Sequence, residues 1–200
     1  MVLVGRQAPD FTTASVLSNG EITNEFNLYK HIKNKFGLLF FYPLDFTFVC
    51  PSELIALNNR IQQFKEINTE IIAVSIDSQY THNAWRNTPI EQGGIGKIDF
   101  TLAADLNHKI CQSYGIEHPE IGIALRAAFI IDKNKIVKHQ VVNDLPLGRN
   151  IDELIRLIDA IQYHEKYGEV CPAGWNKGSK AMIATKEGVA SYLDKHAKTL

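Results

Sequence analysis

Cysteine is scarce in this 200-residue chain, which has only Cys50, Cys111 and Cys171, none at CxxC spacing. That count excludes the disulfide framework of a small secreted domain and the paired thiols of a CxxC oxidoreductase. It also argues against a zinc module, because the cysteines are far apart and the seven histidines are scattered. Charge of one sign is not in excess, with 21 Lys and Arg against 22 Asp and Glu. A chain without a basic stripe has no electrostatic footprint for nucleic acid or an anionic membrane. Long hydrophobic runs are missing too. The longest, near Gly37 to Tyr42, is far shorter than the ~20 residues of a spanning helix. Met1 to Phe11 carries Arg6 and Asp10 where a secretory signal would be apolar. The expectation is a cytoplasmic protein in a reducing compartment, where an exposed thiol serves catalysis or redox sensing. A chain of this size can bury about 70% of its unfolded surface and needs no disulfide to fold.

What is present reads as an α/β domain. Lys35 to Tyr42 and Glu70 to Asp77 are compact apolar runs, as in strands buried on both faces. Leu54, Leu57, Ile61, Phe64 and Ile67 recur between them at helical spacing, which completes a right-handed βαβ unit. A helix is expected at Thr81 to Thr88, a strand at Phe100 to Ala103 and a short helix at Asn107 to Tyr114. Strands at Ala127 to Asp132 and Ile136 to Val142 flank Lys133-Asn134, a two-residue hairpin connection. Ile151, Leu154, Ile155, Ile158 and Ile161 mark a strong amphipathic helix. The first thirty residues, with Asn19-Gly20 at a turn, form a small hairpin capping the sheet. Residues 1–165 are thus one domain with a central mixed sheet covered by helices. Residues 166–200, richer in Gly, Pro and Lys, are a C-terminal tail with one weak helix at Lys186 to His196.

The chemistry points to Cys50. Pro51 follows it, and proline favours the first position of a helix, so Cys50 falls at the N-cap. Unpaired amides and the positive end of the helix dipole favour a thiolate there. The preceding stretch Pro43 to Val49 is too irregular for a strand and reads as a loop around the sulfur. Thr47 either turns its hydroxyl toward that sulfur or is an ordinary loop residue. Glu53, in the first turn, is equally well explained by capping alone. A phosphatase C-x5-R loop would need arginine where Ala56 stands.

Pro43, Thr47 and Cys50 fit P-x-x-x-T-x-x-C, and FYPLDFTFVCPSE resembles the signature of the peroxiredoxins beyond that minimum. The resemblance continues through VSIDS (74–78), GGIG (93–96), LRAAFIID (125–132), NDLPLGR (143–149) and EVCPAGW (169–175). It is to the typical two-cysteine members with a long C-terminal tail. It implies a thioredoxin-like fold and a thiol-dependent peroxidase that reduces hydrogen peroxide and organic hydroperoxides.

By this resemblance Cys50 is the peroxidatic cysteine, which becomes a sulfenic acid. Thr47, the Cys50 amide and Arg126 align the peroxide, Pro43 shields the sulfur from water, and Glu53 and Arg149 fix Arg126. Cys171 of a partner subunit is the resolving cysteine, giving an intersubunit Cys50–Cys171 disulfide in a homodimer that assembles to a decamer. Thioredoxin or a dedicated flavoprotein disulfide reductase returns the thiols, and no metal, haem or flavin is required. Overoxidation-sensitive members carry GGLG and a C-terminal Tyr-Phe pair; here GGIG is close, but Leu193 follows Tyr192. Cys111 lies outside every matched motif and reads as a packed thiol, and Trp85 and Trp175 as packing residues. A redox-sensing relay or a holdase chaperone is the alternative function.

Overall fold

The computed structural model describes residues 1–200, and the side chains of residues 1–198 and 200. Its contacts divide the chain into two compact units, Met1–Ile151 and Asp152–Leu200.

The first unit is built on β3 (Phe36–Phe41) and β4 (Thr69–Ser75). Every β3 residue is buried, as the unbroken apolar sequence FGLLFF requires of a strand covered on both faces. The two strands pair in parallel, from Phe36 opposite Thr69 to Phe41 opposite Val74. Parallel pairing forces a crossover, and α2 (Cys50–Asn59) and α3 (Ile61–Glu66) supply it. The sequence suggests one helix here; Arg60 breaks it in two by leaving helical backbone angles (φ −109°, ψ 10°). Leu54, Leu57 and Phe64 remain buried, so the break does not cost the apolar face.

Outward from this pair the sheet runs β2-β1-β5-β4-β3-β6-β7. On one side β5 (Thr101–Ala104) is parallel to β4, and the hairpin of β1 (Thr12–Val16) and β2 (Ile22–Asn27) joins it antiparallel. The N-terminal hairpin thus extends the sheet edge. On the other side β6 (Arg126–Ile131) and β7 (Val137–Asn143) are antiparallel. Their connection is longer than the two residues expected. Asp132 leaves the ladder and its carboxylate accepts the amides of Asn134 (2.8 Å) and Ile136 (2.9 Å). Short helices α1 (Leu28–His31), α4 (Gln79–Asn87) and α5 (Lys109–Tyr114) complete this unit. Phe41, Tyr114 and Phe129 form its aromatic centre, with ring centroids 4.9–5.8 Å apart.

The second unit holds α6 (Ile151–Tyr167) from its second residue onward, then a bridge pairing Val170 with Met182 and α7 (Lys186–His196), capped by the Thr185 hydroxyl. Trp175 is its packing centre: the Tyr163 ring lies 5.0 Å away, and Arg156 donates to the Trp175 carbonyl at 2.6 Å. No helix is long and apolar enough to cross a membrane among the described residues.

Candidate active site

Three segments of the first unit converge on Cys50: the loop from Tyr42 to Val49, the first turn of α2, and the start of β6 with the loop after β7. Val49 already has helical angles (φ −86°, ψ −35°), so Cys50 is the first residue of α2 and Pro51 the second. The sequence reading sets the helix one residue later, because proline alone cannot reveal a helical residue two positions before it. The electrostatic consequence is unchanged. The sulfur lies in the first turn, where no side chain caps the helix and its amides present partial positive charge.

Cys50 is fully buried. Thr47 Oγ1 is 2.9 Å from its sulfur and 2.8 Å from the Leu44 carbonyl. A hydroxyl has one proton, so it cannot donate to both. Either Thr47 donates to the sulfur, or the thiol donates to Thr47 while Thr47 donates to Leu44. From the opposite side Arg126 Nη1 donates to the sulfur at 3.3 Å, and its second hydrogen goes to Glu53 at 2.8 Å. Arg126 Nε is held by the Leu145 carbonyl at 2.5 Å.

Glu53 is buried, and its two oxygens take four hydrogen bonds. Oε1 accepts the Arg149 amide and Nε, both at 2.8 Å, while Oε2 accepts Arg149 Nη2 at 2.9 Å and Arg126 Nη1. Arg149 also donates to the carbonyls of Phe41 and Ala127 and stacks 3.4 Å over the Phe40 ring. Burial pulls the Arg149 guanidinium down from its ordinary pKa, and the Glu53 carboxylate pulls it back up. Two guanidiniums and one carboxylate leave one net positive charge beside the sulfur, in a site nearly closed to water. This favours negative charge on the sulfur or on an atom attached to it.

Two of the residues bonded to the sulfur, Thr47 and Arg126, also line a cleft of about 470 Å³. Pro43, Leu44, Phe48, Val49, Ile123, Leu145 and Pro146 make up the rest of its lining. Its wall is apolar except where it meets the residues bonded to the sulfur.

The structure thus brings together Pro43, Thr47, Cys50, Glu53, Arg126 and Arg149. Cys171 belongs to the second unit, where its half-buried sulfur is 3.6 Å from the Ala160 carbonyl. Burial pushes its thiol pKa up, Arg156 pulls it down and Glu169 pushes it up again. Cys111 is buried, and burial followed by Asp105 pushes its thiol up to about 12. All three cysteines are free thiols.

One set of supporting residues escapes sequence reasoning. Asp45, inside the loop, accepts from the Tyr42 hydroxyl at 2.7 Å and lies 2.7 Å from His82 Nδ1, while its amide donates to Asp77 at 2.8 Å. These bonds fix the loop at a residue between Pro43 and Thr47. An aspartate in the middle of an aromatic loop was the available signal, but its partner His82 lies 37 residues away on α4.

A thioredoxin-like sheet that opens a helix with a buried cysteine, gripped by a threonine and an arginine, is the architecture of a peroxiredoxin. The AhpC/TSA family matches residues 4–140, and the C-terminal domain of 1-Cys peroxiredoxin matches residues 160–195, a span that contains Cys171. The chain belongs to the AhpC/TSA family. It is 55% identical to alkyl hydroperoxide reductase C of Buchnera aphidicola subsp. Baizongia pistaciae, over 99% of this chain and 100% of that one. It is 50% identical to alkyl hydroperoxide reductase C of Helicobacter pylori, over 98% of each. The crystal structure of reduced Plasmodium vivax 2-Cys peroxiredoxin superposes with a TM-score of 0.93 at 48% identity, covering 97% of this chain and 100% of that one.

Proposed function

We propose that this chain is a thiol-dependent peroxidase that reduces hydrogen peroxide and small organic hydroperoxides in antioxidant defence. The observation that carries the reading is the Cys50 sulfur held between Thr47 at 2.9 Å and Arg126 at 3.3 Å, two residues that also line an apolar cleft. An apolar cleft suits the alkyl group of a hydroperoxide, and those two polar groups suit the O–O bond.

In the first step the Cys50 thiolate attacks one peroxide oxygen. An S–O bond forms, the O–O bond breaks and Cys50 becomes a sulfenic acid, while the departing oxygen takes up a proton, in net terms the one the thiol lost on ionising, and leaves as water or an alcohol. Ionisation alone does not account for such a catalyst: a free thiol is roughly 3% ionised at pH 7, so full ionisation gains only about thirtyfold. The larger contribution is stabilisation of charge on the departing oxygen, where each preorganised donor is worth about 3–4 kcal/mol. Arg126 and Thr47 are those donors, with the Cys50 amide beside them. Glu53 and Arg149 keep Arg126 in place, and Pro43 shields the sulfur from water.

In the second step Cys171 of the partner subunit attacks the sulfenic sulfur, releasing water and forming a Cys50–Cys171 disulfide. Bonded sulfurs are about 2.05 Å apart, and Cys50 is wholly buried, so the first turn of α2 must open for them to meet. An external dithiol, thioredoxin or a flavoprotein disulfide reductase, then supplies two electrons. The working form in this account is a cytoplasmic head-to-tail homodimer assembling to a decamer, with residues 166–200 as the tail that delivers Cys171. Steady-state turnover with thioredoxin and its reductase tests the reading: Cys50→Ser should abolish it, and Cys171→Ser should react once and stop at the sulfenic acid. Equal multiple turnover by both variants would overturn it.

A further inference from the structure

The third cysteine has no place in this reaction. Cys111 sits in α5, three residues after His108, and Glu117 follows the helix in an isolated bridge with Ala124. His108 Nδ1 is 2.5 Å from Glu117 Oε1, and the ligand-capable atoms of all three side chains lie within 4.8 Å of one another. We propose that His108, Cys111 and Glu117 form a zinc-binding site, distinct from the Cys50 centre and independent of the peroxidase reading.

The geometry fits the ion. Zinc bound tetrahedrally at ~2.3 Å from sulfur and ~2.0–2.1 Å from nitrogen or oxygen sets ligand atoms about 3.5 Å apart. His108 Nδ1 and Glu117 Oε1, 2.5 Å apart, must open by about 1 Å to admit the ion, and the Cys111 sulfur must leave its bond to the His108 carbonyl (3.2 Å), with all three ligand atoms already within 4.8 Å of one another. The donors are one nitrogen, one sulfur and one oxygen. That mixture suits a borderline-soft ion and is poor for magnesium or calcium, which take oxygen alone. Three protein ligands leave the fourth position to water.

The surroundings are also organised for coordination. Gln112 Nε2 donates to Glu117 Oε2 at 3.0 Å, which turns the other oxygen toward His108. Carboxylate ligands are usually steadied in this way by a further hydrogen bond. Asp105 adds negative charge behind Cys111 while accepting its amide at 2.8 Å. A dication would offset two of the three negative charges then present, on Glu117, Asp105 and the Cys111 thiolate. His108 and Glu117 are 30% and 25% exposed, which gives the ion a route to the buried sulfur. On binding, the thiol proton passes to solvent as the sulfur–metal bond forms. Coordination by Nδ1 of a neutral imidazole moves that nitrogen's proton to Nε2.

The sequence reading argues against zinc because it looks for clustered cysteines and histidines, and a single H-x2-C-x5-E does not stand out. The helix ends at Tyr114, and only the fold shows that the chain returns Glu117 to His108.

The test uses the full-length reduced chain carrying Cys50→Ser and Cys171→Ser, so that Cys111 is its only thiol. Titration with Co(II) should give one equivalent of bound ion with a sulfur-to-cobalt charge-transfer band, displaced by Zn(II). Adding Cys111→Ser should remove the band and weaken Zn(II) binding at least tenfold. Glu117→Gln, at a partly exposed position that keeps its shape, should weaken it at least tenfold as well. Gln112→Ala should weaken it by about tenfold or more through loss of the supporting bond. No charge-transfer band, or unchanged Zn(II) affinity in either ligand variant, would overturn the site.

Discussion

Cys50 Sγ and Arg126 Nη1 lie 3.3 Å apart, with both residues at most 4% exposed. A guanidinium held so near a sulfur, in a site closed to water, acts with little screening on charge that develops there. Its position is not accidental, since Glu53 and the Leu145 carbonyl fix the same side chain.

Replacing that donor should therefore cost rate. Arg126→Ala is expected to slow Cys50 oxidation by about 10²–10³, the cost of removing one preorganised donor. Arg126→Lys should recover little, because an ammonium cannot reach sulfur, Glu53 and Leu145 with one planar fork. Stopped-flow measurement of the first oxidation phase checks this, and a rate within twofold of the parent would exclude the role.

Glu53 is expected to matter for folding as much as for reactivity. It is the single carboxylate between two buried guanidiniums, and breaking such a network costs about 3–5 kcal/mol. For a chain of this size each kcal/mol lowers Tm by about 2–4 °C, so Glu53→Gln should melt roughly 10 °C earlier. A loss of under 1 °C would show that the carboxylate is not the clamp.

How much of this was legible beforehand differs between the loop and the clamp. Cys50 at a helix start is readable from Pro51 and local helix signals, while those signals left Thr47 open and the role of Pro43 came from the resemblance. Arg126 is 76 residues from Cys50 and Arg149 96 from Glu53, and their roles came only from resemblance. Periodicity placed the buried strands well, because FGLLFF admits few other structures. It could not place the break at Arg60, the extra length of the Asp132 turn, or the start of α2 at Cys50. These depend on single backbone angles and side-chain bonds that leave no periodic trace. The His82–Asp45 pair and the His108–Glu117 pair were invisible for a related reason, since each joins elements that only tertiary folding brings together.

A stability test by pH comes from the sheet. Hydrogen bonds from His31 and from the Lys35 ammonium hold the Glu70 carboxyl at about 2, below its ordinary 4.5. A depressed carboxyl stabilises the fold above its unfolded pKa, and that contribution is lost as pH falls from about 4.5 toward about 2. Glu70→Gln should then cost about 1 kcal/mol at pH 7, after allowance for solvent screening. The difference from the parent should shrink in urea unfolding at pH 3.5. A difference that grows on acidification would contradict the assignment.

Resolution should also gain as pH rises, but in the range where a thiol titrates rather than a carboxyl. A thiol ionises as pH rises; for Cys171 burial moves that ionisation to higher pH, Arg156 to lower and Glu169 to higher again. The disulfide-forming phase after a peroxide pulse should accelerate with pH. Glu169→Gln should move that profile to lower pH and Arg156→Ala to higher pH. Shifts in the reverse directions, followed by stopped-flow fluorescence, would contradict the local electrostatics.

The central claim is that Cys50 is oxidised by peroxide and resolved by a partner's Cys171. Non-reducing electrophoresis with mass spectrometry of the cross-linked peptide, after one equivalent of hydrogen peroxide, tests it most directly. The account predicts a covalent dimer joined through Cys50 and Cys171, absent in Cys171→Ser, where Cys50 is trapped as sulfenic acid. A dimer that persists in Cys171→Ser, or a Cys50 left unoxidised, would contradict it.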